Sequence, residues 1–273
     1  MLKSSAFGHV TRFDLARTLA GRGRYWTTCY LVDGILIDTG CAYARQELVK
    51  ALDGVSLEKI INTHTHEDHI GSNGVLQTQY PRIEILAHPQ ALPVLAEPRK
   101  TQRLHPYRRL FWGWPDRSIG KAIQEGDQVE SEHYKFHVLY TPGHAPDHLC
   151  FFEEKEGWLF SGDLYVGGRD RALRAGYDIR QIIISLKRIA DLPIQVLFPG
   201  SARVRENPVQ ELRAKISYLE EMGEKVTALH NQGTSIHEIA RILFGEPMWI
   251  EYITLGHFSR QRLVLSYLGI NFD

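Results

Sequence analysis

Apolar and polar positions alternate in short blocks over the first two hundred residues, and Gly, Pro, Asn and Asp separate the blocks. In "YLVDGILIDTG" (residues 30–40) two apolar runs flank Asp33-Gly34, a dipeptide suited to a tight hairpin, so two strands are expected there. A helix is expected over residues 43–52, then a strand in "KIINTH", a short helix in "GSNGVLQTQY" and a strand in "IEILAH". A long stretch without clear period follows. Beyond it come "KFHVLYTPGH", "LCFFEEKEGWLFSGD" and "IQVLFPG", the last preceded by a helical pattern at Ile179–Ala190. Strand-rich segments with helices interspersed imply a layered α/β architecture.

The final seventy residues change period. Asn207-Pro208 can cap and start a helix. Val209, Leu212, Ile216, Leu219, Val226 and Leu229 then recur at helical spacing, with Gly233 just past the end. Ser235-Ile236-His237-Glu238 has the capping-box form for a second helix that Gly245 can stop, and a third is expected over Arg260–Leu268. The expected division is an α/β domain over residues 1–202 and a helical C-terminal appendage over 203–273. The chain contains no internal repeat and no low-complexity tract.

Composition narrows the class without naming an activity. With 273 residues, 43% of them apolar, the chain can build a large core in one or two domains. Its 32 basic and 32 acidic residues balance, so no global field draws it to nucleic acid or to an anionic membrane. The N-terminal "MLKSSAFGHVTRFDLAR" lacks the apolar run of a signal peptide, and no segment resembles a spanning helix. Cys29, Cys41 and Cys150 are scattered and odd in number, which makes a reducing cytoplasm the expected compartment.

The chemistry concentrates in "INTHTHEDHIG" (residues 61–71), which packs three histidines and two carboxylates into six residues. Residues two apart in an extended segment project to the same side, so His64 and His66 can converge on one point. Asp68 and His69 are displaced from that point and can serve a second. Imidazole nitrogen and carboxylate oxygen suit zinc, manganese or iron rather than calcium. The alternative is a polar loop of solvated histidines, but the ordered H-x-H-x-D-H pattern favours a metal site. Downstream, "TPGHAPDH" sets His144 at a Pro-Gly turn after one apolar strand, and "LFSGDLY" sets Asp163 directly after another.

With these pieces in order, the chain resembles the metallo-β-lactamase superfamily, in its glyoxalase II-like and lactonase-like branch. The matching pieces are "DTG" (38–40), "THTHEDH" (63–69), "TPGH" (141–144), "SGD" (161–163) and "FPG" (198–200), spread over roughly residues 25–202. The resemblance implies an αββα sandwich with the metal cleft between the two sheet edges. It assigns His64, His66 and His144 to a first metal and Asp68 and His69 to a second, with Asp163 bridging and Asp38 a supporting carboxylate. One or two zinc ions are implied, with manganese or iron as alternatives. Where the family usually carries a further histidine after "FPG", this chain has Ser201, a weaker ligand, so the second site is expected to be weaker or completed by another group such as His230 or His257.

The implied activity is hydrolysis of a small ester, thioester, lactone or related acyl substrate by a metal-bound hydroxide, with Asp68 orienting the nucleophile or passing a proton to the leaving group. Residues 97–118, "EPRKTQRLHPYRRLFWGWPDRS", mix bases with aromatics and read as a lid in which Tyr107, Arg108, Phe111, Trp112 and Trp114 contact substrate. The run Arg169–Arg174 reads as a solvated basic face, His148 as a structural hydrogen-bonder and Cys150 as core. Three other readings stay open: a mononuclear-iron oxidation of the persulfide dioxygenase type, a nuclease and a weakly active binding protein. Zero net charge argues against the nuclease. The expected partner is a small molecule, with no membrane, and the oligomeric state is left undetermined.

Overall fold

The computed structural model describes residues 1–270. Its first sheet has seven strands in chain order: β1 (Leu2–Phe7), β2 (Val10–Leu19), β3 (Arg22–Val32), β4 (Ile35–Ile37), β5 (Lys59–Ile61), β6 (Glu84–Ala87) and β7 (Lys121–Ala122). Neighbours up to β4 are antiparallel, and β4 to β7 run parallel. The hairpin around Asp33-Gly34 forms as its turn chemistry dictates, with both residues at positive φ and Val32 paired to Ile35.

The second sheet contains β8 (Gln128–Glu130), β9 (Lys135–Tyr140), β10 (Leu149–Glu153) and β11 (Trp158–Gly162). After a two-residue strand β12 (Leu173–Arg174), which pairs with β15 (Phe258–Ser259), come β13 (Val196–Pro199) and β14 (Arg205–Glu206). The order is β14-β13-β11-β10-β9-β8. Only β11 and β13 pair in parallel, because the Ile179–Ala190 helix carries the chain back between them. Strands β10 and β11 are buried along their whole length, which explains their unbroken apolar runs.

The two sheets pack face to face over Tyr30, Ile37, Ile61, Phe136, Phe151, Phe160 and Phe198. The Phe160 and Phe198 rings stack with centroids 4.8 Å apart, and Tyr30 meets both edge-on. Short helices containing Leu48, Leu76 and Leu95 cover the outer face of the first sheet. The Ile179–Ala190 helix covers the outer face of the second, so the layers are αββα. The C-terminal helices form where expected, at Val209–Asn231, Ile236–Phe244 and Arg260–Leu268, with a short helix at Trp249–Ile253 between the last two. Leu212, Ile239, Leu263 and Val264 share one apolar core with Ile182, Leu186 and Leu159 of the second sheet's outer layer.

Residues 97–118 are more regular than their missing period suggests. They hold helices at Pro98–Thr101 and Pro106–Phe111, each begun by a proline at its first position and each too short to display periodicity. No helix among the described residues is long and apolar enough to cross a membrane.

Candidate metal centre

Each chemistry-bearing side chain sits just past the end of a strand. Asp38 follows β4, His64 and His66 follow β5, His144 follows β9, Asp163 follows β11, and Ser201 follows β13. A backbone hydrogen bond from Leu149 to the Thr63 carbonyl (2.7 Å) ties the two sheets together there.

His64 Nε2 lies 2.8 Å from His66 Nδ1, and His144 Nε2 lies 3.0 Å from the same atom. Nitrogens bound to one tetrahedral cation through bonds of 2.0–2.1 Å sit on the order of 3.3 Å apart, so slight outward shifts fit these three to an ion. Thr63 Oγ1 donates to Asp38 Oδ2 (2.7 Å) and stands 3.0 Å from His64 Nδ1. That arrangement puts the His64 proton on Nδ1 and leaves the Nε2 lone pair inward. Burial depresses the pKa of all three imidazoles well below the ordinary value, reinforced by neighbouring histidines and Arg174 and opposed at His144 by Asp163. They are neutral at physiological pH, the form a cation requires.

A second donor set shares His64 with His69 and Asp163. His69 Nδ1 is 2.7 Å from Asp38 Oδ2, and Asp38, only 2% exposed, also accepts from the Thr63 backbone N–H (2.8 Å). These contacts hold Asp38 at φ 59°. With its proton toward Asp38, His69 presents Nε2 inward, 3.5 Å from Asp163 Oδ2 and 3.9 Å from Asp68 Oδ2, buried and without a hydrogen-bond partner. Burial opposes protonation of His69, but Asp163 and Asp38 outweigh it and raise its pKa. Burial likewise raises Asp163, while His69, His144 and Ser201 pull it to a lower net value. Ser201 Oγ donates to Asp163 Oδ1 at 2.9 Å. Gly200 precedes it because a Cβ there would lie 2.6 Å from His69 Cε1 and 2.8 Å from Asp163 Oδ1.

The sequence model of the metallo-beta-lactamase superfamily matches residues 23–201. The chain belongs to the metallo-β-lactamase superfamily. It is similar to lactamase-like protein adaB of Aspergillus niger, 29% identical over 211 residues, which cover 74% of this chain and 58% of that protein. It is also similar to a hydroxyacylglutathione hydrolase of Bdellovibrio bacteriovorus, 31% identical over 168 residues (60% of this chain, 55% of that one). The chain thus spans little more than half the length of these curated relatives. Among solved structures, a metallo-beta-lactamase family protein from Thermus thermophilus shares the fold, with a TM-score of 0.69, 20% identity, and coverage of 94% and 93%.

Beside these donor sets runs a cleft of about 260 Å³ bounded by Asp68, Asp163, Tyr107, Arg108, Trp112 and Ser201. Of the residues expected in a lid, Tyr107, Arg108 and Trp112 therefore face it. Phe111 does not line it but packs on Tyr25, which does, with centroids 4.0 Å apart. Trp114 is half-buried outside it. Arg108 is buried and pairs with Glu67, whose carboxyl burial pushes up to about 7 against the pull of Arg108. His148 makes the structural contact expected of it, to Thr141 Oγ1 (2.9 Å), and Cys150 is buried core. His230 is exposed on the long C-terminal helix, and His257 is engaged by the Tyr107 hydroxyl (3.1 Å).

One reading is corrected. Arg169 and Arg171 are solvent-exposed as expected of a basic face, but Arg174 turns inward, with Nη1 3.1 Å from His66 Nε2 and 3.3 Å from the Tyr177 hydroxyl. Strand β12 causes this: its pairing to β15 fixes the chain so that Arg174 faces the cleft. Tyr177, missed by sequence reasoning, brings its hydroxyl 3.3 Å from His144 Nε2. Both lie in a segment that carries no motif; the only signal is their position shortly after Asp163.

Proposed function

We propose that the protein is a metal-dependent hydrolase of a small acyl substrate: an ester, a thioester or a lactone. The supporting observation is the buried, unpartnered His69 Nε2 aimed at Asp163 beside three converging histidine nitrogens. His64, His66 and His144 would hold the first ion, and His69, Asp68 and Asp163 a second, with zinc the expected metal and manganese or iron alternatives. A bound divalent cation supplies Lewis acidity and a water of lowered pKa. Asp68, on the open side of His69, takes a proton from the nucleophile and returns it to the leaving group. The Tyr177 hydroxyl, aimed at the His144 face, donates a hydrogen bond to the acyl oxygen. Tyr107, Arg108 and Trp112 wall the substrate from water. Thioesters lead the class because the substrate in the bacterial relative's name, a hydroxyacylglutathione, is one.

In this reading residues 1–202 carry the centre, and residues 203–273 are an appendage that reaches its rim through His257. A second reading, oxidation at a single iron, draws on Ser201, which offers the second site no nitrogen. The test is elemental analysis of purified protein and His66→Ala, followed by a panel of thioesters, lactones and phosphoesters. Zinc or manganese with acyl hydrolysis, and loss of most metal from the variant, is expected. Full metal retention by His66→Ala overturns the site, and iron with oxygen consumption overturns the hydrolase.

A further inference from the structure

Arg174 is a shielded cation that forms no ion pair among the described residues. Its Nε is closed to solvent and has no acceptor, and its Nη1 has the two contacts to His66 and Tyr177. Glu67 close by gives Oε2 to Arg108, and its buried Oε1 has no hydrogen-bond partner. The contact to His66 needs a lone pair on Nε2. Once His66 gives its Nδ1 lone pair to a metal ion, the neutral ring carries its proton on Nε2 and can no longer accept from Arg174. Loading the centre therefore frees a guanidinium edge at the moment positive charge is added beside it. Burial opposes the Arg174 charge while Tyr177, Glu67, Tyr107 and Asp68 favour it, and an anion at the freed edge would favour it further.

Arg174 and Tyr177 are also the wall shared by the metal cleft and a second cavity of about 540 Å³. Arg180, Arg262 and His257 line that cavity too, and among the described residues its one acidic lining residue is Asp178. Asp178 is occupied: its Oδ1 caps the next helix, accepting from the backbone N–H groups of Arg180 (2.9 Å) and Gln181 (3.4 Å), and lies 3.5 Å from Arg180 Nε. Burial, Arg174 and other nearby bases lower the His257 pKa to about 4, so the cationic lining is the arginines. The cavity is large enough for a small molecule's tail and meets the metal cleft at Arg174 and Tyr177.

We propose that Arg174 and this cavity form an anion-binding site for the carboxylate or phosphate tail of the substrate, so that the enzyme acts on acidic rather than neutral acyl compounds. The proposal rests on the hydrolase reading for the word substrate, while the anion site itself rests on the cavity. A planar guanidinium matches either oxyanion through two parallel hydrogen bonds.

The test uses the metal-loaded full chain and unreactive probes: N-acetyl-β-alanine, its neutral amide and inorganic phosphate. Binding is followed by the fluorescence of Trp26 and Trp112, which line the cleft. The acid is expected to bind at least tenfold tighter than the amide. Arg174→Gln should reduce that ratio below threefold, and Arg174→Lys should restore part of it. Competition by phosphate identifies a phosphate-type tail, and its failure to compete a carboxylate. Equal binding of acid and amide by the unaltered protein overturns the proposal whether or not the variants fold. So does an Arg174→Gln protein that binds the acid as tightly as its parent. Turnover of S-acetyl-3-mercaptopropionate against its amide separates the two readings. If neither reacts while the acid still binds through Arg174, the hydrolase falls and the anion site stands.

Discussion

Replacing Asp38 by asparagine tests whether the second donor set depends on the proton position of His69. The carboxylate receives three donors: the Thr63 N–H at 2.8 Å, the Thr63 hydroxyl at 2.7 Å and His69 Nδ1 at 2.7 Å. An asparagine can keep its oxygen toward the Thr63 N–H, but then its NH2 group faces the other two donors. The threonine hydroxyl can rotate, whereas His69 loses the acceptor of its Nδ1 proton, so the neutral ring that a cation requires would carry its proton on Nε2, the atom that faces the second site. Two hydrogen bonds to a charged acceptor at about 1.5–3 kcal/mol each are lost or weakened, so folding stability should fall by about 2–4 kcal/mol. Supporting carboxylates of this kind typically change metal affinity by about 10–100-fold, equivalent to about 1.4–2.7 kcal/mol. Zinc titration against a competing chelator should show that loss at the weaker site and a smaller loss at the three-histidine site, where His64 Nδ1 meets the Thr63 hydroxyl that Asp38 also holds. Nitrogen-15 spectra of the imidazoles should show His69 switching its protonated nitrogen. An Asp38→Asn protein that binds both ions as tightly as its parent, or that loses only the three-histidine ion, would refute the reasoning.

Ser201→His offers nitrogen in place of a hydroxyl that now contacts Asp163 at 2.9 Å, and second-site affinity should rise at least tenfold in the same titration. Two tightly held ions in the serine form, with no gain from histidine, would mean another group completes the site. Trp112→Ala opens one wall of the cleft and should raise KM several-fold on a thioester while elemental analysis finds the metal content unaltered. Leu263→Ala removes a fully buried side chain from the core shared by the C-terminal helices and the second sheet's outer layer, at a cost of about 2–5 kcal/mol in urea unfolding. A cost below about 1 kcal/mol would show that those helices do not share the core.

Legibility in the sequence followed how local the cause was. The residue pairs that set His64 beside His66, and the Gly and Pro that end strands before His144, Asp163 and Ser201, act within a few positions, so their pattern is visible along the chain. The long C-terminal helix announces itself through six apolar residues at helical spacing. Strands β1 and β2 escaped notice because β1 lies at the sheet edge with mostly exposed side chains, leaving no alternation to read. Arg174 escaped for the opposite reason. Its neighbours Arg169 and Arg171 are solvated, and only the pairing of Leu173 with Ser259, far along the chain, turns it inward. Tyr107 and His257 meet across an even longer separation, |i−j| of 150, and nothing near either residue foretells the contact.

The donor atoms come from two sheets that the chain completes at different times. His64, His66 and His69 follow a strand of the first sheet, while His144 and Asp163 follow strands of the second, so a cation held by both groups would act as a strut across the sandwich. An ion that binds only the assembled form adds RT ln(1 + [L]/Kd) to its stability, about 2.7 kcal/mol when the free ion is at about one hundred times Kd. Proteolysis of transiently opened chains follows the open population, which that increment lowers about a hundredfold. If the centre holds its ion as proposed, the supply of metal should govern the lifetime of the polypeptide as well as its chemistry: metal-depleted protein should be cut by a protease faster than the loaded form.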